Sequence, residues 1–229
     1  MKKISFGLIF TLLFINLYGK DFTPTSAYKN HTLIGFKFKI HPDLIAHELY
    51  PTFLKEAELQ LNKLSKALPQ KQLLHLKSIV FWAEWNNKEN GAAEFHPSKR
   101  WLTLNGYNPE KAEAIELSNA KNFINWSQKS QPWMILHELA HAYHHTYLGF
   151  DSQDIEEAYQ NAMDKKLYES VLHVKGKKMR AYATTNKKEY FAEISEAYFG
   201  KNDYFPFHSK ELELHDPVGY KVLQKLWHQ

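Results

Sequence analysis

The sequence predicts an α+β fold, a mixed β-sheet followed by helices. Most strand-like stretches fall before residue 118, and most helical periodicities fall after residue 131. No internal repeat, low-complexity tract or linker interrupts that order. Residues 20–229 therefore read as one unit, with an N-terminal α/β lobe over about 30–130 and a C-terminal helical lobe over about 131–229.

The elements follow in chain order. Ile34, Phe36, Phe38 and Ile40 alternate with polar or small neighbours, the period of a half-buried strand, and His41-Pro42-Asp43 ends it. Phe53, Leu54, Ala57, Leu61, Leu64 and Leu68 recur at helical spacing, so residues 51–68 read as a helix that stops before Pro69. Residues 79–82 are β-rich. Residues 101–104 are another strand candidate, bounded by the turn signals Asn105-Gly106 and Asn108-Pro109, and residues 114–117 are one more. Beyond these, 154–168 reads as a helix, 171–174 as an extended piece ended by Gly176, and 187–199 as a helix closed by Gly200. A last helix starts at Asp216-Pro217, with aspartate as cap and proline in the first turn.

With 229 residues, 44% of them hydrophobic, the chain can bury a sizeable core. Its first residues carry Lys2 and Lys3, then an apolar run from Ile4 to Leu17, then a polar turn after Gly19. This is the pattern of a secretory leader over residues 1–19, cut near Gly19 or Lys20, and the apolar run is short for a membrane span. The expected destination is the periplasm or the medium, with no lasting membrane anchor. The absence of cysteine excludes a disulfide framework and a lipid-modified N-terminal cysteine. A formal charge of +4, without dense basic blocks among aromatics, argues against a nucleic-acid partner.

His137-Glu138-Leu139-Ala140-His141 reads as HExxH. Residues four apart stack on one helical face, so two imidazoles can reach one metal ion while Glu138 swings toward its open side. Pro132 suits the first turn of that helix, with Ser130 and Gln131 as caps, and Gly149 suits its end. Trp133, Leu136, Leu139, Ala140, Tyr143 and Tyr147 form its apolar stripe.

A catalytic zinc takes three protein ligands and a water, so one ligand remains to be found. The HExxHxxGxxH solution is missing, because His144 stands at the glycine and Tyr147 at the third histidine. His144 and His145, one turn further along the same helix, close a tetrahedral site poorly. Glu189, Glu193 and Glu196 instead form an acidic stripe on a helix otherwise apolar nearly all round, so part of the stripe must be buried and either paired or metal-bound.

The run Ala181-Tyr182-Ala183-Thr184-Thr185-Asn186-Lys187-Lys188-Glu189-Tyr190-Phe191-Ala192-Glu193 resembles the catalytic domain of anthrax lethal factor-like zinc metallopeptidases, which include the Pro-Pro endopeptidases. The resemblance covers about residues 131–200 and implies a zincin-like fold. It further implies His137, His141 and Glu189 as ligands of one Zn2+ per chain, Glu138 as general base, Tyr182 as the active-site tyrosine, and Glu193 as a carboxylate supporting the ligands. Two neutral histidines and one carboxylate leave the ion net positive, which lowers the pKa of its water toward ~7. Glu138 would take that water's proton, and Tyr182 would donate to the oxyanion.

The expected function is an exported zinc-dependent metallopeptidase acting on a peptide or protein. Its substrate would pair with a sheet edge, for which residues 114–117 are the expected strand, with 92–95 behind. The alternatives are a catalytically silent, zinc-stabilised envelope or binding protein and, on aromatic content alone, a carbohydrate-binding module.

Overall fold

A computed structural model describes residues 22–229; the expected leader and its cleavage point lie outside them. β1 (Lys29–Leu33) and β2 (Phe36–Ile40) form an antiparallel hairpin. Ile34 and Gly35, both at positive φ, make the tight turn between them, so the alternation starting at Ile34 begins two residues early. β1 itself carries the sequence Lys-Asn-His-Thr-Leu and is largely exposed, which left no hydrophobic period to read.

Three helices, α1 (Pro42–Ala46), α2 (Tyr50–Ala67) and α3 (Gln70–Leu76), carry the chain to β3 (Val80–Ala83), which lies parallel to β2. Then follow β4 (Glu94–His96), α4 (Lys99–Leu104) and β5 (Ala114–Leu117). β5 runs parallel to β3 and antiparallel to β4, giving the order β1-β2-β3-β5-β4. The fold is mixed α+β with a mixed five-stranded sheet. Its helices are not segregated after the strands, since three of them bridge β2 and β3, as a parallel pair requires.

Two strand expectations change. Residues 101–104 are helical within α4, because the Ser98 hydroxyl accepts from Trp101 N and nucleates a turn that outweighs the β-propensity of Trp101 and Thr103. Residues 114–117 are not an edge: β5 lies between β3 and β4 with all four residues buried, and β4 is the edge on that side.

The helical half comprises α5 (Ala120–Lys129), α6 (Met134–Tyr143) with a π-helical turn over His144–Leu148, and α7 (Gln153–Asp164). A two-stranded ribbon follows, β6 (Val171–Leu172) with β7 (Lys178–Met179), then α8 (Lys187–Phe199), α9 (Ser209–His215) and α10 (Pro217–Trp227). α6 starts two residues after Pro132, and neither Ser130 nor Gln131 caps it by a side chain. One of its orphan N–H groups, that of Ile135, donates instead to Gln60 Oε1 of α2 at 3.0 Å, a partner supplied by tertiary packing. Among the described residues no helix is long and apolar enough to cross a membrane.

One face of the sheet presents Phe36, Phe38, Phe81, Ile115 and Leu117 to the helices, in a buried cluster that continues through Leu139, Phe191 and Trp227. On the opposite face Tyr28, Trp82 and Ala114 pack around buried charges. Lys111 Nζ lies 2.7 Å from Glu84 Oε1 and 2.6 Å from Glu116 Oε1, and His96 Nε2 of β4 lies 2.7 Å from Glu116 Oε2. Burial alone would raise the Glu116 carboxyl, but the His96 and Lys111 contacts outweigh it and bring its pKa down from 4.5 to about 2.

A carboxyl depressed in this way contributes stability above its unfolded pKa of 4.5, and that contribution drains away as pH falls toward 2. Glu116→Gln should therefore lose roughly 3–5 kcal/mol at pH 7, because it leaves Lys111 with less compensation, and should show a flatter stability profile between pH 5 and pH 2 than wild type. Urea unfolding across that range is the measurement; parallel wild-type and variant profiles would remove the network's role.

Candidate metal centre

Antiparallel packing of α6 on α8 builds the site. At one end the Trp133 ring lies against Gly200, where any Cβ would collide with the indole, and at the other His141 faces Glu189. His137 and His141, one turn apart on α6, each place Nε2 3.2 Å from the same oxygen, Oε2 of Glu189. These three donors could hold one metal ion. They occupy the wall of a cleft of about 550 Å³, which β4 and the segment before it roof over.

Asn186 Oδ1 accepts from the N–H groups of Lys188 and Glu189, fixing the first turn of α8 and with it the Glu189 side chain. Burial would raise the Glu189 carboxyl, yet the hydrogen bonds and charge of the two imidazoles hold it well below the usual carboxylate range. Glu138 points into the same cleft and is almost fully buried, and burial raises its carboxyl pKa despite the neighbouring histidines. A raised pKa suits a carboxylate that must accept a proton and release it again.

The carboxylate behind His137 is Glu196. His137 Nδ1 donates to Glu196 Oε1 at 2.7 Å, whereas the nearest Glu193 oxygen is 3.9 Å away. The expected supporting residue, Glu193, accepts instead from Asn202 Nδ2 at 3.3 Å. Both glutamates share the Glu189 stripe, and it is the crossing of α8 over α6 that brings Glu196, two turns from Glu189, rather than Glu193 against His137 Nδ1. Burial, reinforced by Glu196 and Asp203, pushes the Glu193 carboxyl up. The Nδ1–H bond to Glu196 fixes the His137 ring and turns its Nε2 toward Glu189 and the cleft.

Tyr182 lies on a short 3₁₀ turn (Tyr182–Thr184) at the cleft rim, 47% exposed, its ring stacked on His137 at a centroid distance of 6.3 Å. Its phenol is raised by burial and by the Glu189 charge, so it is a proton donor across the neutral range. His145 lies away from the donor trio, 3.7 Å from Glu113, and His144 is fully buried with both ring nitrogens unpartnered. Sequence reasoning missed Lys188, Phe150, Asp203 and Tyr204, which also line the cleft; only their placement by α8 and the flanking loops brings them there.

Comparison of the chain with protein-family profiles, with curated proteins and with solved structures finds no match. The case for function rests on the site.

The His144 imidazole, between the Phe150 and Phe191 rings, makes an acid-sensitive point beside this site. Burial and the nearby His141 and lysine charges lower its pKa from 6.5 to about 3. The unfolded chain therefore binds the proton first, and stability falls as pH drops from 6.5 toward 3. His144→Leu removes two unsatisfied buried nitrogens, and should raise the melting temperature at pH 5 relative to wild type by more than at pH 7.5. An equal shift at both values would show that His144 does not titrate with unfolding.

Proposed function

We propose that the protein is an exported zinc-dependent metallopeptidase, hydrolysing a peptide bond in the cleft between β4 and α6. The observation that carries this reading is the convergence of His137 Nε2, His141 Nε2 and Glu189 Oε2 beside the buried Glu138. Two nitrogens and one carboxylate oxygen make the donor set of an open hydrolytic zinc site, and their spacing fits one ion. Such an ion, when bound, supplies Lewis acidity and a nucleophilic water at neutral pH.

The chain's own residues do the rest. Glu138 holds and returns a proton, Glu196 orients His137, and Tyr182 at the rim donates a hydrogen bond to the carbonyl oxygen as negative charge develops on it. β4, the edge strand on the side of the cleft, can bind an extended peptide through its backbone. The zincin-like architecture and the resemblance to lethal factor-like peptidases belong to the same reading, as does export by the N-terminal leader. A catalytically silent zinc protein is less favoured, because the buried, high-pKa Glu138 has no duty in holding a metal.

Purified protein should bind about one zinc per chain, and Glu138→Ala should keep that zinc while losing nearly all cleavage of an unbiased peptide library. Absence of zinc by elemental analysis and titration would end the reading; full activity in the variant would end the assigned role of Glu138. Zinc titrations should also rank the three glutamates. Glu189→Ala should cost the most affinity, Glu196→Gln about 10- to 100-fold, and Glu193→Gln less than Glu196→Gln. A larger loss for Glu193→Gln than for Glu196→Gln would return the supporting role to Glu193.

A further inference from the structure

The cleft has two chemically different ends, and the direction of β4 assigns them to the two sides of a bound peptide. The start of β4 lies against α5: Asn122 Nδ2 donates to the carbonyl of Gly91 at 2.8 Å, and Trp126, one turn further along α5, lines the cleft. Further along, Phe95 in the middle of β4 lies over the far end of α6, which marks the second end of the cleft, through ring contacts from Phe95 to His145 at 5.7 Å and from His145 to Phe150 at 4.6 Å. At that second end Lys188 Nζ sits 3.9 Å above the Phe150 ring.

Lys188 is the cation of the cleft without a carboxylate partner among the described residues. Lys88, which also lines the cleft, is paired with Glu94 at 2.9 Å, and Lys187 with Glu156 at 2.7 Å. Lys188 also occupies the first turn of α8, where the helix dipole disfavours a positive charge, and the Phe150 ring is what faces its ammonium there. The opposite end of the cleft carries the buried acids Glu193, Glu196 and Asp203.

A peptide adding to β4 in the stronger, antiparallel sense runs from the Phe150 end to the Trp126 end. Its residues N-terminal to the scissile bond then lie beside Lys188. We propose that Lys188 is a specificity-determining residue that selects peptides with aspartate or glutamate within two residues on the N-terminal side of the scissile bond. The inference rests on the peptidase reading above and adds the polarity and charge of the substrate. The Phe150 face holds the ammonium over the cleft, where a substrate carboxylate meets it with little loss of side-chain freedom.

Digestion of an unbiased peptide library by the zinc-loaded full-length mature protein should show acidic residues enriched on the N-terminal side of the cut. For matched peptides differing as Glu against Gln at that position, Lys188→Met should lower the ratio of kcat/KM values by about five- to tenfold, chiefly through KM, and Lys188→Glu should turn the preference toward lysine or arginine. Cleavage without acidic enrichment, or with enrichment on the C-terminal side, overturns this inference and leaves the peptidase standing. An unchanged ratio in a Lys188→Met protein that melts like wild type also overturns it. No cleavage of any library member overturns the peptidase reading and this inference together.

Discussion

The seam between α6 and α8 is the constraint on which the rest of the site depends. It buries two imidazoles against two hydrogen-bonding carboxylates, a costly collection to remove from water. Apolar faces on both helices offset that cost, with Leu139, Ala140 and Tyr143 on one and Phe191, Ala192 and Ile194 on the other. α10 locks the seam from outside: Trp227 stacks on Tyr143 and Phe191, and its indole N–H donates to Ser195 Oγ of α8 at 3.1 Å. Register follows from this packing, because a slip of one residue in α8 would take both Glu189 and Glu196 away from His137.

The same seam explains the unequal state of its acids. Glu189 is held ionised by two imidazoles, and the His137 contact partly offsets the burial that raises Glu196. Glu193, between Glu196 and Asp203, has no such contact and is driven toward its neutral form, where it can lie near Asn202 and the other acids without adding charge. Three glutamates on one helical stripe thus divide into a ligand candidate aimed at the cleft, a ring holder and a carboxyl that burial and its acidic neighbours push up.

Where the sequence was legible, one local signal dominated. HExxH placed His137, Glu138 and His141, and Gly200 with the acidic stripe placed α8, because helical spacing alone decides which side chains share a face. The choice between Glu193 and Glu196 needed the angle at which α8 crosses α6, which no spacing within α8 encodes. The edge strand was misplaced for a related reason. Residues 114–117 and 92–95 are both candidates for the edge in the sequence, and the pairing of β5 with β3 on one side and β4 on the other decides between them, with Lys111 and His96 gathered around Glu116. Trp101 and Thr103 looked β-like, but a single cap at Ser98 decided for helix. The start of α6 depended on Gln60, 75 residues away.

The two buried charge groups stand on opposite faces of the sheet and meet at β4. Glu94 and His96 project toward the Lys111 and Glu116 network, while Phe95 between them projects toward α6 and the cleft. Holding alternate residues from behind makes the three-residue edge rigid without covering its outer N–H and C=O groups, and its shortness limits pairing with other chains. With the roof fixed by β5 and the wall fixed by the α6–α8 seam, the spacing between backbone edge and donor trio is preset. Selectivity for one peptide over another then has to come from side chains that project from the rim, namely Tyr182, Lys188 and Phe150, because an edge strand reads only backbone.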